Sequence, residues 1–249
     1  MPEKAAHVIL VPGAWMGGWI WEPTVQWLRA RDIDAETMTL RGLEPGRSGA
    51  DTARVSLEDH VQQLVDVIYQ TRADKVILVS HSYSGVVAAA ADRLGSQVSG
   101  IIHIGAFLPV DAHALLDNWG DTDDERAQEK ADIEAAGNLW LAPTREMLDY
   151  VDDLTDADRD YLASKFTTHP GRTVLDAAHL SSPVEEQLTT YVALSLKDDF
   201  DTAWEDAPAV ARSAATWQRR SLVSGHWPMV SDFDETVTLI EEEIRRYGS

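Results

Sequence analysis

Apolar positions along this chain come in short unbroken runs, separated by stretches of helical periodicity. The first run, HVILVPGAW (7–15), stops at Pro12 and Gly13. Apolar residues without polar alternation predict a strand buried on both faces, as in a parallel sheet. A helix is expected over 21–30, then a second strand, DAETMTL (34–40), then the Gly/Pro-rich loop RGLEPGRSGAD. In SLEDHVQQLVDVIYQ, Ser56 and Asp59 form a capping-box pattern, and Leu57, Val61, Leu64, Val65 and Ile68 recur at helical spacing. KVILVS (75–80) reads as a third strand; it turns through HSYSG and continues as the helix-forming VVAAAADRL. VSGIIHIGAFLP (98–109) makes a fourth strand, after which the alternation breaks. It resumes with strands QLTTYVALS (187–195) and QRRSLVSG (218–225), and Ser231 with Asp234 is expected to cap a final helix reaching Tyr247.

The expected fold is α/β: a mostly parallel sheet of about six strands with helices on both faces, because right-handed crossovers leave little choice. Its core comprises 1–110 and 187–249, and 111–186 forms a helical cap inserted after the fourth strand, all within one structural domain. From Asp111 to Asp160 there are 16 acidic and 4 basic residues, with Trp119, Trp140, Tyr150 and Tyr161 among or just after the short amphipathic helices. That texture suits an insertion resting on a sheet rather than an independent domain.

Composition narrows the function classes. The 249 residues have room for one well-buried domain, and the absence of cysteine excludes disulfides, thiolate metal sites and cysteine nucleophiles. With 21 Lys and Arg against 42 Asp and Glu, the net charge of -21 argues against nucleic acid or an anionic membrane as partner. The start, MPEKAAHVIL, lacks the basic segment and long apolar core of a signal peptide, so a soluble cytoplasmic protein is expected. A homodimer is compatible with the sequence.

Candidate chemistry centres on Ser82. In Ser80-His81-Ser82-Tyr83-Ser84-Gly85 it lies between an apolar strand and a helix, with small residues two positions away on each side. Such a turn holds its tip residue in a strained conformation and needs small neighbours so that strand and helix can approach. A serine hydroxyl needs a base within reach. Of eight histidines, His226 in Gly225-His226-Trp227-Pro228-Met229 emerges from the carboxyl end of the last strand, the edge where open α/β sheets bind ligands. His7, His60 and His103 read as core or surface residues, His81 as pointing elsewhere from the turn, and His113, His169 and His179 as solvated or pocket-lining. The orienting carboxylate should fall between Ser and His in chain order. Asp198, Asp199 and Asp201 all follow the strand QLTTYVALS, and spacing does not choose among them; Asp111 is a reserve. The backbone amides of Ala14 and Tyr83 are the expected oxyanion donors.

Taken together, HVILVPGAWMGGWIWEP, VILVSHSYSGVVAAAADR, IIHIGAFLP, TTYVALS and SGHWPM resemble, in order, the α/β-hydrolases of the plant methyl-esterase and hydroxynitrile-lyase group and their bacterial esterase relatives. The resemblance implies the α/β-hydrolase fold, Ser82 as nucleophile, His226 as base, and Ala14 and Tyr83 as oxyanion donors. It places the acid at Lys197, so Asp198 requires a shift of one residue. The lyases of the group carry a threonine and a lysine where this chain has Gly13 and Trp227; Trp227 offers no positive charge to a leaving cyanide, which favours hydrolysis. The expected activity is a serine hydrolase with no cofactor or metal, cleaving a small, apolar or aromatic ester or lactone through an acyl-enzyme. Trp15 and Trp227, which flank the catalytic groups in sequence, are the expected substrate-binding residues. The alternatives are a lyase or cofactor-free oxygenase using Ser and His as an acid/base pair, or a ligand-binding receptor on the same fold.

Overall fold

A computed structural model describes residues 6–248. In chain order the first part comprises β1 (His7–Val11), α1 (Glu22–Arg29), β2 (Ala35–Thr37), α2 (Gly49–Thr52), α3 (Leu57–Thr71), β3 (Val76–His81), α4 (Ser84–Ala89) and β4 (Val98–Ile104). The segment after β4 holds α5 (Asp123–Ala135), β5 (Leu139–Trp140), α6 (Asp156–Lys165), β6 (His169–Pro170) and α7 (Arg172–Leu175). The alternation then resumes with β7 (Thr189–Ser195), α8 (Phe200–Glu205), α9 (Ala209–Ser213), β8 (Gln218–Val223), α10 (Pro228–Ser231) and α11 (Phe233–Tyr247).

Six strands form one parallel sheet in the order β2-β1-β3-β4-β7-β8. The unbroken apolar runs sit in its centre, where alternate residues feed two cores. Ile9, Val11 and Leu78 face Leu64 and Ile68 of α3. Val8, Leu10, Ile77 and Val79 face Leu28 of α1 and Ile240 of α11. A strand with both faces buried has no polar side to display, which is why these segments lack alternation. The chain runs outward from β1 to β2 and then crosses back to β3, so the strand order reverses between β1 and β3. Ligands of open α/β sheets bind at the carboxyl ends on either side of such a reversal. Ala14 follows β1 there, and Ser82 follows β3.

Local signals were mostly realised. Ser56 and Asp59 form a reciprocal capping box at the start of α3. Three expectations need correction. The second strand is only Ala35–Thr37. The fourth ends at Ile104: Gly105 adopts φ +48, and the following segment leaves the sheet to meet the turn after β3, where the Phe107 amide donates to the Ser82 carbonyl at 3.0 Å. Ser231 does not cap the last helix but ends α10, and α11 starts behind Asp232, whose side chain makes no capping bond.

The acidic segment after β4 neutralises part of its charge internally. Arg145 pairs with Asp149, with Asp156 at 3.1 Å and with Asp160 at 2.6 Å. Trp140 is buried there, whereas Tyr150 is 89% exposed. No helix among the described residues is long and apolar enough to cross a membrane.

Candidate active site

The turn after β3 carries the strain that its sequence suggested. Ser82 has φ +52 and is nearly buried. Left-handed backbone at a non-glycine residue is costly and persists only where the surroundings enforce it. Here the enforcement is visible: the Ser82 amide donates to Ile104 at 3.3 Å, and its carbonyl accepts from Gly85 at 3.2 Å and Phe107 at 3.0 Å. Gly85 allows the approach, since a Cβ there would lie 2.3 Å from the Phe107 carbonyl oxygen. The flanking serines do more than stay small. Ser84 Oγ accepts from the His81 amide at 2.9 Å and donates to the Val11 carbonyl at 2.8 Å, tying the turn to the end of β1. Ser80 Oγ lies 2.6 Å from His103 Nδ1.

The residues 144 positions apart in the chain meet: His226 Nε2 lies 3.0 Å from Ser82 Oγ. Burial lowers the His226 pKa to about 4, against the upward pull of the Asp153 carboxylate. The imidazole is therefore neutral near pH 7 and able to accept the Ser82 proton. His81, expected to point elsewhere, holds His226 in place. Its Nε2–H donates to the His226 carbonyl at 2.6 Å, and the two rings lie 4.9 Å apart.

The carboxylates are distributed differently from the sequence reading. Asp198 is exposed, and its carboxylate has no hydrogen-bond partner among the described residues. Asp199 is committed to the N-terminus of α8, accepting from the Asp201 amide and from Thr202 Oγ1, both at 3.0 Å. Asp111 accepts from the Leu180 amide at 3.1 Å. The carboxylate bonded to the loop that carries His226 is Asp153, from the segment between β4 and β7; its Oδ2 accepts from the Gly225 amide at 2.7 Å and from Ser224 Oγ at 3.3 Å. Nothing in the sequence marks Asp153 among the 16 acidic residues of its segment.

Ala14 and Tyr83 are buried. Neither backbone amide donates to another group among the described residues. Buried amides are almost always paired, so two unpaired ones, that of Tyr83 next to the strained serine and that of Ala14 in the loop after β1, are suited to an anionic oxygen.

Around them lies a histidine network that the sequence reading missed. His60 Nε2 is 2.7 Å from the Arg41 carbonyl, which can only accept, so Nε2 carries the proton and Nδ1 accepts from the Tyr83 hydroxyl at 2.8 Å. His169 Nδ1 accepts from the Trp15 amide at 3.3 Å, leaving Nε2–H to donate to Thr173 Oγ1 at 2.9 Å, and Thr173 donates to Pro170 at 2.7 Å. Burial lowers the pKa of His60 to about 4 and that of His169 well below its ordinary value. Trp15 has φ +62, so His169 pins a strained residue immediately after Ala14. His169→Phe, which keeps the ring but removes the acceptor, is expected to lower kcat about 10-fold while leaving a folded protein. Steady-state kinetics alongside a thermal melt check this.

Trp15 and Trp227 occupy different surroundings. Trp15 packs against Trp140, the ring centroids 4.3 Å apart and the planes tilted by 53°, and donates to its carbonyl at 3.2 Å. Trp227 is buried, lying 5.0 Å from the His226 ring and 6.0 Å from Phe166. A cavity of about 430 Å³ opens on His226 at the strand ends, between Phe107, Leu194, Leu196 and Asp206. A second, of about 580 Å³, lies between Phe107, Trp119, Asp121, Glu125 and Glu129.

Comparison with known proteins agrees with this architecture. The chain is 34% identical over 112 residues to a carbendazim hydrolyzing esterase of Nocardioides sp. (strain SG-4G), covering 45% of this chain and 46% of that one. It is 28% identical over 132 residues to methylesterase 3 of Arabidopsis thaliana, covering 51% and 49%. The matches thus span about half the length of these curated relatives. A solved extracellular alpha/beta-hydrolase from a Paenibacillus species superposes over 95% of this chain and 98% of its own, with a TM-score of 0.79 at 17% identity. The family model of the alpha/beta hydrolases matches residues 8–239, and the chain belongs to that family.

Proposed function

We propose that the protein is a serine hydrolase that cleaves carboxylic esters or lactones through an acyl-enzyme. The observation that carries this reading is a hydroxyl on a strained turn, 3.0 Å from a neutral imidazole. Ser82 Oγ attacks the carbonyl carbon as its proton passes to His226 Nε2. The amides of Ala14 and Tyr83 hold the oxyanion, and His226 returns the proton to the departing alcohol. Water then repeats the sequence on the acyl-enzyme. Each step is proton transfer and addition to a carbonyl, so the chemistry requires no cofactor. The names of two of the curated relatives, an esterase and a methylesterase, support the reading.

The substrate is a small neutral or cationic molecule with an apolar or aromatic group. Supporting this are the aromatic lining of Phe107 and Trp119 and the carboxylates of Asp121, Glu125 and Glu129 in the second cavity, which shares Phe107 with the cavity that opens on His226. Trp15 and Trp227 are proposed as substrate contacts. Incubation with a serine-directed organophosphonate, followed by mass spectrometry and an aryl ester panel, tests the reading. A stoichiometric adduct on Ser82 with ester turnover is expected. No adduct there and no turnover would overturn it.

A further inference from the structure

Asp198 lies at the end of the strand where an orienting acid was expected, yet it is exposed and unbonded to His226. The base is left with an open donor. With Nε2 accepting from Ser82, the neutral imidazole carries its proton on Nδ1, and Nδ1 has no hydrogen-bond partner among the described residues. Across the same loop, Asp153 Oδ1 is buried and also unpaired. Its other oxygen grips the amide of Gly225, the residue next to the base, at 2.7 Å. The fit is close: a Cβ on Gly225 would lie 2.2 Å from Asp153 Oδ1, so glycine is the residue that lets the carboxylate approach. Asp153 is itself anchored, since its neighbour Leu154 is buried in the core that includes Trp227 and Met229.

We infer that Asp153, reaching in from the segment between β4 and β7, is the carboxylate that positions His226 and stabilises the imidazolium formed when Ser82 gives up its proton. This rests on the serine-hydrolase reading above. A buried carboxylate with one unpaired oxygen is expensive, and it becomes useful at the moment a positive charge develops beside it. The proton moves only between Ser82, His226 and the leaving group. The charge acts in the expected direction, raising the His226 pKa against the lowering by burial. The other titratable groups near the base include His81, whose ring lies 4.9 Å away, and Tyr191 and Asp206, which line the same cavity. Asp232 feels Asp153 as well, its own pKa being raised by burial and by Asp234 and Asp153. The arrangement also ties the segment after β4 to the site, because Asp153 holds the Gly225 amide and Ser224 Oγ of the loop that carries His226.

The test compares Asp153→Asn, Asp153→Ala and Asp198→Asn in the full chain, using an aryl ester and the rate of phosphonate labelling at Ser82. Asn is isosteric and its side-chain oxygen still accepts from the Gly225 amide, so it removes the charge while retaining the grip. The expected result is a fall in kcat of about 100-fold or more for both Asp153 variants, with KM changed by less than about 3-fold. The acid limb of kcat/KM in Asp153→Asn should move to lower pH, because the charge that raised the imidazole is gone. Asp198→Asn should stay within about 3-fold of the parent. A merely structural Asp153 would leave the Asn variant active with an unmoved acid limb, and that result would overturn the inference. Asp198 is exposed, so its Asn variant is expected to fold regardless of the Asp153 variants; a 100-fold loss there would overturn it too. Turnover that survives Ser82→Ala would instead sink the hydrolase reading, so the two failures are distinguishable.

Discussion

Ser82→Ala is expected to lower kcat for an aryl ester by about four orders of magnitude or more, with a much smaller change in KM and no loss of fold. Its Oγ is the hydroxyl within 3.0 Å of His226 Nε2. The nearest substitute in sequence, Ser84, already spends its hydroxyl on Val11 and His81. The amides of Ala14 and Tyr83 remain in the variant and should support a residual rate above that in water, since donors to the oxyanion act whether the nucleophile is serine or solvent. His226→Ala should cost a similar factor. The double variant should be little worse than either single one, because a nucleophile without its base and a base without its nucleophile are equally idle. Burst kinetics with an activated ester would show the acyl-enzyme directly in the parent. A loss below about 10-fold in Ser82→Ala would point to acid/base chemistry without a covalent intermediate.

Acid should destabilise the protein well before its carboxylates titrate. His60, His81, His103 and His169 are fully buried. Burial lowers their pKa values, to about 4 for His60, about 3 for His81 and His103, and well below the ordinary value for His169. A histidine whose folded pKa is depressed binds its proton in the unfolded chain first. The stability it supplies is complete above about pH 6.5 and is lost as pH falls from there toward the folded value. Each such group costs up to about 1.4 kcal/mol per pH unit within that window. Four of them between pH 7 and pH 5 amount to several kcal/mol, a large part of the 5–15 kcal/mol that stabilises an ordinary domain. Relief of repulsion within a chain of net charge -21 works in the opposite direction. That relief requires carboxylates to protonate, which mostly happens below pH 5. Urea midpoints at pH 7.5, 6.0 and 5.0 should therefore fall progressively, and an unchanged midpoint at pH 5.0 would refute the assignment of these rings as buried and neutral. Activity should fall in this window only as the folded population falls, because His169 in the folded chain stays neutral until well below its ordinary pKa and keeps its hold on the Trp15 amide.

The features legible in the sequence share a physical basis. The central strands were visible because a strand covered on both faces must be apolar at every position, which leaves a run in the sequence whatever covers it. The Ser56–Asp59 capping box was visible because both partners lie within one helical turn. Ser82 was visible for a similar reason: the strain of its turn is set by its immediate neighbours. Errors fell where the deciding contact came from far away. The fourth strand ends early because Phe107 leaves the sheet to bond Ser82. Asp198 and Asp199 follow β7 as expected, yet Asp199 is taken by the start of α8 and Asp198 faces solvent.

By itself, then, the sequence determined the parallel sheet, the strained serine and a histidine at the end of the last strand, since each depends on residues adjacent in the chain or on burial that any partner could supply. Only the tertiary structure decided which carboxylate grips the loop of that histidine, which ring holds the Trp15 amide after β1 and why Gly225 must lack a side chain. Asp153 and Gly225 are 72 positions apart, and Trp15 and His169 are 154 apart. Hydrogen bonds of this kind leave no periodicity to read, because one buried acceptor among many acidic or aromatic residues is singled out only by where the folded chain puts it.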